Sequence, residues 1–401
     1  MTGNRLRAIG LVAAVVLVFG GRGTMSAQAP ALQKALAEFK TLYETGLRDN
    51  GIVGSGVMIV RGGRVLMRDF YGSANLEKSQ PVDEQTIYHW ASITKTFTAI
   101  AIMQLRDRGL LSLDDPIVKY VPELRDVHNE FGSMEVITIR QLLSHSAGFR
   151  GATWPWSEGE PWEPYEPTEW SQLVAMMPYT EILFEPGSKY SYSNPGIIFL
   201  GRVIEKVTGD VFEAYVEKNV FRPLGMRRAY YDRTPWHLLP YRSNHYFVRG
   251  GKPDPGGLDF NTGVTVSNGG LNAPIPDMAR YLGFLMGSPP EDVDAEVILA
   301  RASLEEMWRT VVPIGQSGIG TESMGLSYFL YDDGGRRLVG HTGTQRAFYS
   351  FFILDPQAKV AAIAAFNSVG TNREPPRTDE LRIGTRDRVV RDVFPLFARG
   401  R

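Results

Sequence analysis

Trp90-Ala91-Ser92-Ile93-Thr94-Lys95 runs without a break into Thr96-Phe97-Thr98-Ala99-Ile100-Ala101-Ile102-Met103-Gln104-Leu105, and the reading of this stretch decides the fold. Ile93, Phe97, Ile100, Met103 and Leu105 fall close to helical spacing, and Gly109 offers a stop. Ser92 suits the start of that helix. Lys95 follows three residues later, so both side chains project from one face, one turn apart. A lysine held against a hydroxyl in a closed cleft loses basicity through desolvation and becomes a usable base for a serine nucleophile. The free N–H groups at the helix start would also favour an oxyanion. A single Ser-x-x-Lys is weak evidence, since an N-cap serine beside a solvated lysine reads the same way. It is the only such match in the chain, and the rest of the sequence tests it.

Outward from this stretch, the 401 residues carry 43 Lys+Arg against 44 Asp+Glu, for a net charge of −1. That balance, with no basic cluster among aromatics, argues against nucleic acid as a partner. The first residues read as an export signal over 1–27. Arg5 and Arg7 precede an apolar run from Ala8 to Phe19, and cleavage is expected after Ala27 rather than Ala29, which Pro30 follows. The run is short for a bilayer span, so no stable membrane anchor is expected after cleavage. There is no cysteine, hence no disulfide and no lipid-bearing thiol. An exported protein built this way must rest on its core, which suits a periplasmic or secreted location.

Leu32, Leu36, Phe39 and Tyr43 predict a helix that ends at Asn50-Gly51. A hairpin follows, with Gly56–Val60 and Arg64–Met67 flanking the turn Arg61-Gly62-Gly63-Arg64. From about Asp114 to Ser303 helices dominate, including 138–145 behind a Thr138 cap, a segment stopped by Gly209, and the stretches 277–286 and 292–310. Strands return at 327–330, 337–340, 348–354 and 360–366, and Val389, Val390, Val393 and Phe397 suggest a last helix. The pattern is α+β: an antiparallel sheet flanked by terminal helices, with a large mainly helical insertion. One domain is expected over 30–401, its sheet part formed by about 31–90 and 325–401 and its helical part by about 91–324. The Ser92 helix would then form the floor of a cleft between them.

Three more stretches bear on Ser92: Tyr190-Ser191-Tyr192-Ser193-Asn194-Pro195-Gly196, Gly340-His341-Thr342-Gly343-Thr344, and Leu142-Leu143-Ser144-His145-Ser146-Ala147-Gly148. Singly, each reads as turn, cap or packing. Together, and in this order, the chain resembles the penicillin-recognising serine hydrolases, in the branch of class C β-lactamases, D-alanyl-D-alanine carboxypeptidases and related esterases. The resemblance spans about Gly51 to Phe366. It rests on Ser92-Ile93-Thr94-Lys95, on Tyr192-Ser193-Asn194, and on His341-Thr342-Gly343 where many members have Lys-Thr-Gly. Phe221-Arg222-Pro223-Leu224-Gly225-Met226 and Gly269-Gly270-Leu271 add to it.

The resemblance implies a β-lactamase/transpeptidase-like fold and an acyl-enzyme on Ser92. Lys95 would take the serine proton, or stay charged and make Tyr192 the base. Asn194 would hold Lys95 and the substrate acyl group. The backbone N–H groups of Ser92 and Thr344 would form the oxyanion hole, with His341, Thr342 and Gly343 lining the substrate side. The departure is His341: a largely neutral imidazole is a weaker anion handle than lysine. It turns the expectation from efficient β-lactam hydrolysis toward ester or amide substrates, small molecules or peptides. Neither cofactor nor metal is expected, because no His-Glu-x-x-His or similar spacing occurs among His89, His128, His237 and His245. A Gly-x-Ser-x-Gly elbow is absent as well. His145 reads as a structural hydrogen-bonder. The loop with Trp154, Trp156, Trp162, Tyr165 and Trp170 reads equally as a pocket wall or a surface flap. The rival from another class is a catalytically idle scaffold that recognises cell-wall fragments or a protein partner. No residue pattern fixes an oligomeric state.

Overall fold

The computed structural model describes residues 22–151, 167–258, 262–371 and 374–397, with side chains from residue 30 onward. The apolar run of the expected export signal and the aromatic loop from Trp154 to Tyr165 lie outside the described residues. In chain order the framework begins with helix α1 (Arg22–Asp49) and strands β1 (Gly54–Arg61), β2 (Arg64–Asn75) and β3 (Gln80–Pro81). Next come β4 (Ile87–His89), α2 (Thr94–Asp107), α3 (Ile139–Leu143), α4 (Asn194–Thr208), α5 (Val266–Gly269), β5 (Leu271–Pro274) and α6 (Ile275–Leu285). The last third adds β6 (Val312–Gln316), β7 (Thr321–Met324), β8 (Phe329–Asp333), β9 (Arg336–Gln345), β10 (Phe348–Asp355), β11 (Val360–Phe366) and α7 (Thr378–Arg388). Among the described residues, no helix is long and apolar enough to cross a membrane.

Nine strands form one sheet in the order β3-β2-β1-β11-β10-β9-β8-β7-β6, every neighbouring pair antiparallel. Its centre joins the two ends of the chain, with Val57 opposite Ala364 and Ile59 opposite Ala362. Side chains alternate between two buried faces, as the period of two requires. Val57, Ile59, Phe351, Ile353 and Ala364 pack with Phe39, Tyr43 and Leu47 of α1 and with Val389, Val393 and Phe394 behind α7. Met58, Val60, Phe352, Ile363 and Ala365 point to the other face and join the large core of α2, α4 and α6. β11 is therefore buried at every position, Val360 to Phe366, which explains a strand written almost entirely in alanine and branched residues. This is the antiparallel sheet with terminal helices and a helical insertion that the sequence predicts.

Details differ from expectation in instructive ways. Ser92 does not cap α2: it lies in a 3₁₀ turn, Ala91–Ile93, that leads into the helix, and no side chain caps the helix start. The stretch 292–310 is two short helices, Ala295–Ile298 and Arg301–Met307, split where Leu299 is extended. Strands β6 and β7, which follow it, carry no clear alternation because they lie at the sheet edge and are largely solvated. The His341-Thr342-Gly343 segment lies inside β9, which runs on to Gln345, rather than at a strand end.

Candidate active site

The site grows from Trp90. Its backbone N–H donates to the Leu271 carbonyl at 2.8 Å and its indole N–H to the Ala273 carbonyl at 2.8 Å, fixing the end of β4 on β5. The next residue, Ala91, is held at φ +48°, a left-handed conformation that costs a non-glycine residue energy. That reversal turns the chain into the 3₁₀ turn and sets Ser92, half-buried, at the mouth of α2. From Thr94 to Leu105 every residue of α2 is buried, so this is an interior helix without a wet face. Its hydroxyls are satisfied locally or by α5: Thr94 Oγ1 donates to Ala91 O at 2.6 Å and Thr98 Oγ1 to Ser267 O at 2.6 Å.

Lys95 is fully buried in this helix. Its Nζ donates to Ser92 Oγ at 3.0 Å and to the Asn268 carbonyl at 2.9 Å. Desolvation pushes its pKa well below the ordinary lysine range. Nζ also lies 5.0 Å from the centre of the Tyr192 ring. Burial raises the Tyr192 phenol pKa, and a hydrogen bond with Ser92 opposes that rise. Ser92 and Lys95, neighbours on one turn, therefore share a hydrogen-bonded cluster with Tyr192, which lies far along the chain.

Tyr192 is itself held. The His145 ring stacks on it at 4.4 Å between centroids, 30° from parallel, and His145 Nδ1 accepts the Ser193 N–H at 3.2 Å. An imidazole that accepts at Nδ1 and stays neutral carries its proton on Nε2. Burial and the neighbouring Lys95 keep it neutral by pushing its pKa well down. Ser193 then caps α4, its Oγ accepting the Gly196 N–H at 3.2 Å. Asn194, first residue of α4, is tethered through its backbone N–H to the Gly151 carbonyl at 2.9 Å. Its side-chain Oδ1 is buried with no hydrogen-bond partner among the described residues. Lys95 thus turns to the Asn268 carbonyl rather than to Asn194.

The opposite wall is β9. Gly343 must be glycine here, because a Cβ would sit 2.1 Å from the Trp90 carbonyl and 2.4 Å from Ser350 Oγ. The missing side chain lets the strand press against the turn that carries Ser92. Thr344 follows, exposed and paired with Tyr349 of β10, while Thr342 is half-buried opposite Phe351. His341 is buried; its Nδ1–H donates to the Thr342 carbonyl at 2.7 Å, which leaves Nε2 as an acceptor without a partner among the described residues. Desolvation, with Lys95 nearby, lowers its pKa to about 3. The position is neutral, as the sequence suggests for a histidine, and it presents a lone pair instead of a cation.

A family model described as Beta-lactamase matches residues 39–385. The chain belongs to the beta-lactamase family. Protein flp of Staphylococcus aureus (strain MW2) is 27% identical over 334 residues, covering 82% of this chain and 62% of that protein. Beta-lactamase-like protein 2 of Dictyostelium discoideum is 30% identical over 280 residues, 67% of this chain and 49% of that one. The chain thus spans about half to three-fifths of the length of these relatives. Among solved structures, an octameric penicillin-binding protein homologue from Pyrococcus abyssi superposes with a TM-score of 0.71 at 27% identity, over 86% of this chain and 75% of that one. A class C beta-lactamase superposes with a TM-score of 0.71 at 20% identity, over 92% of this chain and 98% of that one, and attests the fold. Members of the beta-lactamase family with this fold are typically serine hydrolases that pass through an acyl-enzyme.

Two contributors to the cluster escape a reading of motifs. The Asn268 carbonyl is backbone, and its only trace in the sequence is the Gly269-Gly270-Leu271 that follows. His145 was legible as a hydrogen-bonder, but its stack on Tyr192 crosses 47 positions and no spacing rule reports it.

Proposed function

We propose that this chain is a serine hydrolase that acylates Ser92 with a small ester or amide substrate and then hydrolyses the acyl-enzyme. The observation that carries the reading is the Lys95 amine, fully buried and 3.0 Å from Ser92 Oγ. Burial moves the pKa values of Lys95 and Tyr192 in opposite directions, down for the amine and up for the phenol. Both shifts favour the neutral form, so the amine rather than a phenolate takes the Ser92 proton during attack. Tyr192, hydrogen-bonded to Ser92, passes its proton to the leaving oxygen or nitrogen and is reprotonated by the Lys95 ammonium, so both groups return to their starting forms. The backbone N–H groups of Ser92 and Thr344 receive the charge that develops on the carbonyl oxygen. With a neutral His341 where many members carry a lysine, the site has little to offer a substrate carboxylate there, which favours uncharged esters and amides over β-lactams. Action outside the cytoplasm accords with the export signal read over 1–27.

A fluorophosphonate probe should label the purified protein at one residue, located by peptide mass spectrometry as Ser92. Ser92→Ala should abolish both labelling and turnover of p-nitrophenyl esters. Labelling that persists in the variant would overturn Ser92 as the nucleophile; a wild-type protein that neither labels nor turns over any ester, D-amino-acid peptide or nitrocefin would leave only a binding scaffold.

A further inference from the structure

Gly343 creates a difficulty that another residue resolves. The approach of Trp90 forbids any side chain at 343, so beyond its register pairing with Ser350 of β10 this glycine has no side chain to help fix its peptide groups. Yet the Gly343–Thr344 peptide carries the N–H proposed above to face the oxyanion. On the far side of β9 lies Arg382 of α7, only 8% exposed. Its Nη1 donates to the Gly343 carbonyl at 3.0 Å, to Thr344 Oγ1 at 3.0 Å and to the Ser350 carbonyl at 3.4 Å. Nη2 donates to Asp379, one turn earlier on the same helix.

We infer that Arg382 is a positioning residue for the oxyanion hole, acting through the Gly343–Thr344 peptide; the inference rests on the reading of Ser92 and Thr344 above. A trans peptide points its C=O and N–H in opposite directions. Holding the Gly343 oxygen against the guanidinium therefore turns the Thr344 N–H away from α7, toward the side where Trp90 and the Ser92 turn press on the strand. A second bond from the same nitrogen to Thr344 Oγ1 fixes both ends of the unit. The cation also polarises the peptide it binds, which strengthens the N–H as a donor. Burying a guanidinium with one carboxylate for company is costly, and Nε has no partner among the described residues; the compensation lies at Nη1, two of whose three acceptors belong to Gly343 and Thr344. The hydrogen bonds of Arg382 go to Gly343, Thr344, Ser350 and Asp379 rather than to Ser92, so an action through the peptide belongs in kcat rather than KM.

The test reads the carbonyl directly. Wild type and variants are acylated at Ser92 with an ester labelled with carbon-13 at the carbonyl, and the stretch of the acyl-enzyme is recorded by difference infrared spectroscopy. Arg382→Met should move that band to higher wavenumber and lower kcat by on the order of 10- to 100-fold, the usual cost of a misplaced group, with KM changed less than threefold. Arg382→Lys should recover part of both losses. Asp379→Asn, a change at an exposed position, should shift the band in the same direction by less, and it decides the matter if Arg382→Met does not fold. An unmoved band in the folded variants, whatever their kcat, overturns the role. Failure of the underlying reading shows earlier and differently, as a wild-type protein with no acyl group on Ser92.

Discussion

The two walls of the site are made in contrasting ways. On the helix side, Ser92 and Lys95 meet because they stand three residues apart on one turn, and burial of α2 alone sets the amine's chemistry. On the strand side, nothing is local. Gly343 fits because Trp90 comes close, and the peptide after it is gripped by a guanidinium 39 positions away. The lesson is that the proposed nucleophile needs one helical turn and a dry interior, whereas the proposed oxyanion donor needs the whole tertiary arrangement.

Substitutions can separate the two walls. The largest effect beyond loss of Ser92 itself is expected from the helix side: Lys95→Met and Tyr192→Phe should each lower kcat/KM by roughly 10²–10⁴, the range for removing a proton-transfer group. Retention of wild-type turnover by Lys95→Met would remove the amine from the mechanism. On the strand side, Gly343→Ala should cost about 10²–10³ in kcat by displacing β9 from the Ser92 turn, as loss of one oxyanion donor does. A Gly343→Ala protein with unaltered kcat would show that the strand contact is dispensable.

A pH series should sharpen the contrast next. His341 and His89 both have pKa values lowered to about 3 by burial. Between about pH 6.5 and 3 the unfolded chain therefore binds protons that the folded chain refuses, so stability falls as pH falls through that window. The slope is at most about 1.4 kcal/mol per pH unit for each imidazole, and urea titrations at pH 7, 5 and 4 measure it. His89→Gln should flatten the slope; equal stability at pH 7 and pH 4 would contradict both shifts. The smallest change is expected at Asn194. Its side-chain oxygen makes no hydrogen bond to Lys95, so Asn194→Ala should lower kcat by no more than about fivefold, the worth of one ordinary hydrogen bond to a substrate. A loss as large as that of Lys95→Met would mean that Asn194 closes on the lysine during turnover.

How much of this was legible follows the same division. The Ser92–Lys95 pair, the interior helix and the central strands could be read, because each rests on a short period: three or four residues in a helix, two in a strand. The Thr138 cap could be read for the same reason, whereas the Ser193 cap on α4 emerges only from the structure. Strands β6 and β7 could not, since a solvated edge leaves no alternation to find. Ser92 was mistaken for a cap because serine does favour helix starts; the left-handed Ala91 before it, which the sequence does not announce, puts it in a 3₁₀ turn instead. His341-Thr342-Gly343 was legible as a motif, but not as the interior of a strand, because two glycines and a histidine score poorly as β formers. Arg382 carried no signal at all. One arginine among many declares its role only through the carbonyl it holds.

The seam between β1 and β11 has a temporal meaning. Ser55 Oγ donates to the Ala365 carbonyl across 310 positions, so the sheet cannot close until nearly all of the polypeptide has been made. Lys95 emerges from the ribosome early, on a greasy helix whose partner strands β9 to β11 are not yet made. Until β9 is made, the strand wall of the proposed site does not exist.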